Sequence, residues 1–229
     1  MKILSFDTST KFLTIALAED FAIKSAFHED METRHNEEIV PTVANMFKEI
    51  KWNVKDIDLV CVGIGPGSFT GLRVGLAFAK GLARSTGIKI IGVPTMDAIA
   101  KQFLPVKFPG VNFVAPLIDA RKGRVYSAVY KAGAETIPEK VSNYNLLFID
   151  ELLSTLDKKT FFIGDGVETY KDKIKEHARA YFIENAQWHP NARDINFLGL
   201  KKFMRREEND INNLQPLYIY PKECSVGGI

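Results

Sequence analysis

The glycine-rich segment at residues 60–75 constrains the fold of this chain more than any other part of the sequence. An apolar run over residues 59–64 is broken by closely spaced glycines and a proline, and a helical pattern then continues to about Gly87. Glycine permits positive φ and close approach of two backbones, so this order predicts a strand, a tight loop and a helix. The loop lacks the Lys-Ser/Thr pair of a P-loop. We therefore favour a tight turn over an anion site at the start of the helix.

The helix after the loop carries small residues at intervals of four: Gly71, Gly75, Ala79 and Ala83. Such a ridge lets a second helix approach closely, as is best documented in membranes. Charged residues interrupt this helix, and a membrane span needs about 18 uninterrupted apolar residues. The ridge is interpreted as a surface for another subunit, and packing inside the chain's own domain is the alternative.

A strand–Asp–turn–strand pattern occurs twice, at residues 3–18 and 113–130. Asp7 and Asp119 hold the same place in the two copies, and each half later contains a strand that runs into glycines. This self-similarity predicts a duplicated domain. Strands alternate with helical patterns, among them residues 36–50, 97–103, 150–156 and 195–206. The alternation predicts an α/β fold.

The length of 229 residues suits one large or two small domains. A proline-containing linker at residues 105–109 predicts domains over 1–104 and 110–222, followed by a frayed tail over 223–229. Residues 216–220 have a strand-like pattern. The net charge of +2 gives no strong footprint for nucleic acid, and two cysteines make no disulfide framework. Asp7 interrupts the apolar N-terminus, so no signal peptide is expected, and the cytoplasm is the expected compartment.

Several motifs in a fixed order resemble the TsaB (YeaZ) family. They are Asp7-Thr-Ser-Thr10, Gly63-Ile-Gly-Pro-Gly-Ser-Phe-Thr-Gly-Leu-Arg-Val-Gly75, residues 79–83, Asp119-Ala-Arg-Lys-Gly-Arg-Val-Tyr126 and Gly164-Asp-Gly166. The resemblance implies two tandem RNase-H-like domains of the actin-like/Hsp70-like ATPase (ASKHA) superfamily. It also implies a partner subunit that binds and activates TsaD and works with the ATPase TsaE. Together these proteins transfer threonylcarbamoyl to the tRNA adenosine beside the anticodon.

The resemblance further implies a degenerate nucleotide site formed by residues of both halves: Asp7, Thr8, Ser9, Asp119, Gly164 and Gly166. The alternative for each Asp is that its carboxylate caps its own turn, a common use of Asp in turns. No tightly bound cofactor is expected, and ATP or ADP would act at the level of the complex with TsaD.

The expected partner interface uses the helix at residues 36–50 and the helix after the glycine loop. Small residues would admit the partner, and apolar residues would fill the contact. The residues assigned to it are His35, Ile39, Val43, Phe69, Gly71, Leu72, Gly75 and Ala79. A homodimer in the absence of the partner is also expected, and tRNA would be reached through the complex.

No catalytic residue and no metal site are predicted. Of the four histidines, no two lie four residues apart. Thr95 and Ile99 stand where the similar TsaD proteins carry their metal-binding histidines, and neither side chain supplies an imidazole. An ATP-using enzyme of the actin-like or sugar-kinase superfamily is the alternative function, whereas a metallopeptidase is disfavoured. The basic segment Lys201–Arg206 is interpreted as a solvated helix face, with a tRNA contact as the alternative.

Overall fold

Two α/β units make up the chain. Unit 1 comprises Met1–Ala98 and Pro190–Leu217, and unit 2 comprises Ile99–His189 with the described residues that follow Leu217. The computed structural model describes residues 1–31, 34–103, 108–133, 137, 139–184, 186 and 188–219.

Unit 1 contains one mixed sheet. Its strands are β1 (Lys2–Asp7), β2 (Phe12–Glu19), β3 (Ala22–Asp30), β4 (Leu59–Gly63) and β5 (Lys89–Val93). The spatial order is β3-β2-β1-β4-β5; the first three strands form an antiparallel meander, and β1, β4 and β5 run parallel. β4 is buried along its whole length, which explains its continuous apolar sequence.

Two helices of the first segment accompany this sheet, α1 (His35–Glu49) and α2 (Phe69–Thr86), with a short 3-10 helix at Val54–Asp56. A third helix, α3 (Thr95–Ala100), begins in unit 1, and its last two residues belong to unit 2. The Ser68 hydroxyl caps α2 by accepting a hydrogen bond from the Gly71 N–H at 3.2 Å. Gly87 ends α2 with a left-handed φ of 76°. The core of unit 1 lies between the sheet and the pair α1 and α2.

Unit 2 repeats this plan. Its strands are β6 (Phe113–Asp119), β7 (Arg124–Ser127), β8 (Tyr130–Lys131), β9 (Asn145–Phe148), β10 (Thr160–Ile163) and β11 (Ala180–Tyr181). The order β9-β7-β6-β10-β11 matches β3-β2-β1-β4-β5 of unit 1, while β8 pairs with β6. The helices are α4 (Ile149–Ser154) and α5 (Gly166–Lys175). Asp7 and Asp119 each end the first strand of their hairpin, as the sequence predicts.

The last helix, α6 (Ala192–Met204), belongs to unit 1, whereas the sequence placed residues 190–217 in the second domain. Its packing explains the difference: the Ser5 hydroxyl in β1 bonds the Asn196 amide oxygen at 3.2 Å, and Gly199 lies against Cys61 of β4. These contacts join residues about 140 to 190 positions apart, which no local pattern reveals.

The C-terminal strand expected at residues 216–220 is wrong for its described part. Pro216–Ile219 have no strand conformation, although the Leu217 N–H donates to the Ile64 carbonyl oxygen at 2.7 Å. The predicted tail at 223–229 and residues 105–107 of the predicted linker lie outside the described residues.

Candidate functional site

The turn that joins β1 to β2 lies directly against the glycine loop and the start of α2. The Thr8 hydroxyl donates to the Gly71 carbonyl oxygen at 2.7 Å, and the Ser68 N–H donates to the Ser9 carbonyl oxygen at 2.6 Å. A Cβ atom on Gly67 would overlap with the backbone of Ser9, and one on Gly71 would overlap with the Thr8 carbonyl oxygen. Glycine is therefore required here because two backbones touch.

Asp7 is the buried carboxylate of this cluster, with 1% of its surface exposed. The Ser9 N–H donates to its Oδ1 at 2.7 Å, and the Thr95 hydroxyl donates to its Oδ2 at 2.7 Å. Burial raises the pKa of Asp7, while the hydrogen bonds from Ser9 and Thr95 and the charge of His35 act in the opposite direction. A Cβ atom on Gly63 would overlap with this carboxylate. Asp7 thus caps its own turn.

Thr95 connects this carboxylate to the glycine loop. Besides donating to Asp7, its hydroxyl accepts a hydrogen bond from the Gly65 N–H at 3.1 Å and lies 3.1 Å from the Ser9 hydroxyl. The sequence pointed to Thr95 as a position without a histidine and as a possible helix N-cap, but not as a partner of Asp7. Its partner Asp7 lies 88 residues earlier, so no spacing rule could have found the contact.

His35, the first residue of α1, is 5% exposed. Within the described part of the chain, its Nε2 atom has no hydrogen-bond partner. A buried nitrogen without a partner costs about 1–3 kcal/mol. Because its side chain is buried, His35 is a packing residue of unit 1.

The unit 1 residues assigned to a nucleotide site are closed off. Asp7, Thr8 and Ser9 are each at most 1% exposed. Their carboxylate and hydroxyl groups bond to other groups of the same unit. This arrangement matches the turn-capping alternative and leaves no exposed donor in the turn from Asp7 to Ser9 that could reach a phosphate.

At the equivalent site in unit 2, the Asp165 carboxyl group lies against the backbone of Asp119. The Asp119 N–H donates to Asp165 Oδ1 at 3.2 Å, while Asp119 Oδ1 accepts from the Arg121 N–H at 2.8 Å and the Tyr170 hydroxyl at 3.1 Å. Burial, joined by the charge of Asp119, raises the pKa of Asp165 to about 6. Sequence reasoning noted the glycines around Asp165 but missed Asp165 and Tyr170 themselves.

Gly164 and Gly166, which flank Asp165, are packing residues. Gly164 has a φ of 108°, and a Cβ atom there would overlap with the Leu117 carbonyl oxygen. A Cβ atom on Gly166 would lie 3.1 Å from the Leu117 side chain. Both glycines thus let the loop before α5 close on β6.

The small-residue ridge of α2 faces inward, which corrects its interpretation as a subunit surface. Gly75 packs against Thr8 and Phe6, and Ala79 is fully buried. Of the eight residues assigned to the interface, only Phe69 is exposed; the buried ones are His35, Ile39, Val43, Gly71, Leu72, Gly75 and Ala79. They pack in unit 1 because α1 and α2 cover its sheet with these faces.

Neither Thr95 nor Ile99 is available to a ligand, since Thr95 is committed to Asp7 and Ile99 is 1% exposed. The described residues contain no group of three or more His, Cys, Asp or Glu side chains that could hold a metal ion. In the same residues, no helix combines the length and the apolar character needed to cross a bilayer.

The repeated strand order and the paired Asp turns define two tandem RNase-H-like units, which is the actin-like fold class. A YeaZ structure from Pseudomonas aeruginosa superposes with a TM-score of 0.79 at 23% identity, covering 95% of this chain and 99% of that one. A second structure from that organism, described as an uncharacterized protein with similarity to peptidase YeaZ, gives 0.81 at 23% identity, covering 96% and 99%.

A family model described as TsaD, tRNA N6-adenosine threonylcarbamoyltransferase, matches residues 27–223. The chain is 29% identical to the tRNA threonylcarbamoyladenosine biosynthesis protein TsaB of Bacillus subtilis, over 99% of this chain and 97% of that protein. It is 28% identical to Escherichia coli TsaB, over 96% and 94%. The chain therefore belongs to this TsaD family and, within it, to the TsaB (YeaZ) group.

Proposed function

We propose that this chain is a non-catalytic subunit of the threonylcarbamoyladenosine machinery, which binds and activates a TsaD-like catalytic subunit together with a TsaE-like ATPase. The names of its relatives support the process. The closed turn of unit 1 supports a non-catalytic role, because its polar groups are bonded to one another. The tRNA is reached through the complex, in the cytoplasm.

The observation that carries the proposal is an exposed apolar surface on α1 and α2. Val40 of α1 is 57% exposed and Phe69 of α2 is 54% exposed. The small residues Ala44, Ala77 and Gly81 are exposed on the same two helices. We call these five residues the α1/α2 surface. Exposed apolar surface beside an aromatic anchor is typical of protein–protein interfaces.

The position of α2 supports an activating subunit with a preformed docking surface. The N-terminal turn of α2 is held by Thr8 and Ser9, whose own turn is held by Asp7. A rigid surface loses little conformational entropy when a partner docks, which favours affinity. In the absence of the partner, the same surface would join two copies of the chain.

The alternative of an ATP-using enzyme receives less support. The carboxylate that would organise a metal and phosphates in unit 1, Asp7, already accepts two hydrogen bonds and is 1% exposed. We propose that any ATP or ADP acts at the level of the complex. Turnover of ATP by the isolated chain at a rate comparable to that of the complex would favour the enzyme.

The test is the affinity for a TsaD-like subunit, measured by calorimetry. Phe69→Asp and Val40→Asp are expected to weaken binding by about 2 kcal/mol or more each, because buried anchors carry most of the interface energy. Val141→Asp is the matched control, since Val141 is 44% exposed in unit 2. Threonylcarbamoyl transfer by the partner should fall in parallel. Unchanged affinity in both α1/α2 variants would contradict the proposed surface.

A further inference from the structure

Side chains of α6 contact an aromatic ring in the turn between β2 and β3. Phe21, in that turn, is 44% exposed and lies 5.3 Å from the ring of Phe197. The Lys201 ammonium nitrogen is 5.3 Å from the centroid of Phe21 and 5.7 Å from that of Phe197. The two rings are thus neighbours, and the Lys201 ammonium group lies within cation–π distance of both.

Two further cations lie along α6, one on each side of Phe197 and Lys201. Arg193, Phe197, Lys201 and Arg205 follow one another at intervals of four, so they run along one side of the helix for about 18 Å. Arg193 and Arg205 are exposed, and no salt bridge within the described residues holds either of them. Phe21 and these four residues are called the α6 patch.

The α6 patch lies on the opposite side of the unit 1 sheet from the α1/α2 surface. In β1, Ser5 contacts Asn196 of α6, while the next residue, Phe6, lies against Gly75 of α2. Successive side chains of a strand point to opposite faces, so α6 and α2 cover different faces. A partner seated on the α1/α2 surface therefore leaves the α6 patch open.

We propose that the α6 patch binds a single-stranded segment of RNA, with a base stacked on Phe21 and phosphates beside Lys201 and Arg205. Aromatic rings for bases and cations for the backbone are the combination that binds single strands. The proposal rests on the proposed function only in taking tRNA as the source of that strand. It names a direct RNA contact on this chain, apart from the interface with the catalytic subunit.

Two simpler explanations account for less of the patch. Cations in the last turn of a helix interact favourably with its dipole, but that explains neither the exposed ring of Phe21 nor Arg193 at the other end of α6. A protein partner is the other candidate: phenylalanine and arginine are enriched at protein interfaces, but lysine, whose ammonium group lies over both rings here, is depleted at their cores.

The experiment measures the affinity for an unmodified tRNA transcript by fluorescence anisotropy, with the isolated chain and with its complex with the TsaD-like subunit. Phe21→Ala should weaken binding about 5- to 150-fold, the range expected for one lost stacking contact, with the same salt dependence. Phe21→Tyr should restore the affinity. For the charges, Lys201→Glu/Arg205→Glu should reduce the slope of log affinity against log salt by about 1.4, at about 0.7 per lost phosphate contact.

The matched control is Lys55→Glu/Lys158→Glu, which makes the same charge change at exposed positions outside the patch and should leave the slope nearer to that of the parent. All variants should melt within a few degrees of the parent, and the partner affinity is measured on the same samples. Unchanged tRNA binding in the ring and charge variants would overturn the RNA contact. So would an effect limited to self-association or to partner affinity, which would assign the patch to a protein. If the parent chain fails to bind the TsaD-like subunit, the proposed function fails whatever the RNA result.

Discussion

In unit 1 the hairpin turn after Asp7 is buried beneath the glycine loop, whereas in unit 2 the turn after Asp119 is open to solvent. The local bonding is the same: the N–H two residues further on donates to the carboxylate, at 2.7 Å from Ser9 and at 2.8 Å from Arg121. The surroundings differ, because Thr8 and Ser9 are buried while Arg121 and Lys122 are exposed.

The difference comes from the helix that follows β4 in unit 1 and the helix that follows its counterpart, β10, in unit 2. The start of α2 carries glycines that bring it into backbone contact with the turn, so the turn becomes part of the core. In unit 2, Gly164 and Gly166 close instead on β6 at Leu117. The same Asp turn therefore becomes a rigid support in one unit and stays a surface feature in the other, according to what packs on it.

The largest expected effect comes from breaking the contact between α2 and the unit 1 turn. Gly71→Ala should lower the free energy of unfolding by about 3 kcal/mol or more, because the added Cβ overlaps with the Thr8 carbonyl oxygen, a backbone atom that cannot turn aside. Gly81→Ala, in the same helix with no atom within 4 Å of the new Cβ, should raise it by about 1 kcal/mol. Denaturant unfolding of both variants checks this. Equal effects would show that the contact does not hold the turn.

Substitutions of the two carboxylates should differ less in their effect on the free energy of unfolding. Asp7→Ala leaves the Ser9 N–H and the Thr95 hydroxyl buried without their acceptor, which should cost about 2–3 kcal/mol. Asp119→Ala should cost about 1 kcal/mol or less, because water can replace the carboxylate in an exposed turn. Chemical denaturation of the two variants compares the costs. If they are alike, burial of the unit 1 turn does not distinguish the two sites.

The pH dependence of stability tests the carboxylate site of unit 2. The pKa of Asp165 rises from its ordinary value of 3.8 to about 6 in the folded protein. The folded state therefore holds the Asp165 proton more tightly than the unfolded state does. The stability that this proton contributes is fully present below pH 3.8 and is lost as the pH rises through about 6.

Asp165→Asn cannot ionise and keeps an acceptor for the Asp119 N–H. Its free energy of unfolding should equal that of the parent near pH 4 and exceed it by about 2 kcal/mol near pH 8. Asp172→Asn, at an exposed position of α5, is the control and should follow the parent at all pH values. Parallel profiles for the parent and Asp165→Asn would contradict the raised pKa.

Much of the fold follows from local sequence patterns. The apolar period at residues 36–50 predicts α1, observed at His35–Glu49, and the glycine loop correctly marks the start of α2. The repeated Asp turn correctly predicts two units with the same strand order. These features depend on neighbours within a few residues, so periodicity and turn chemistry are sufficient to find them.

The sequence could not decide which side of α2 faces inward. Small residues lie on both sides: Gly71, Gly75 and Ala79 inside, and Ala77 and Gly81 outside. A small side chain admits a close neighbour from the same domain or from another subunit, and its hydrophobicity does not distinguish the two. The Thr8 hydroxyl bond to Gly71, across 63 residues, settles the matter in favour of the domain's own turn.

The sequence by itself thus determined the main helices, the duplication of the Asp turn and the family, because each is encoded in local patterns and ordered motifs. Only the tertiary structure decided that Thr95 completes the Asp7 cluster, that α6 returns to unit 1, and that its cations lie beside Phe21. Each of these depends on contacts between residues far apart in the chain. Such contacts form where packing shape and hydrogen bonding fit best, and no periodicity or spacing records them.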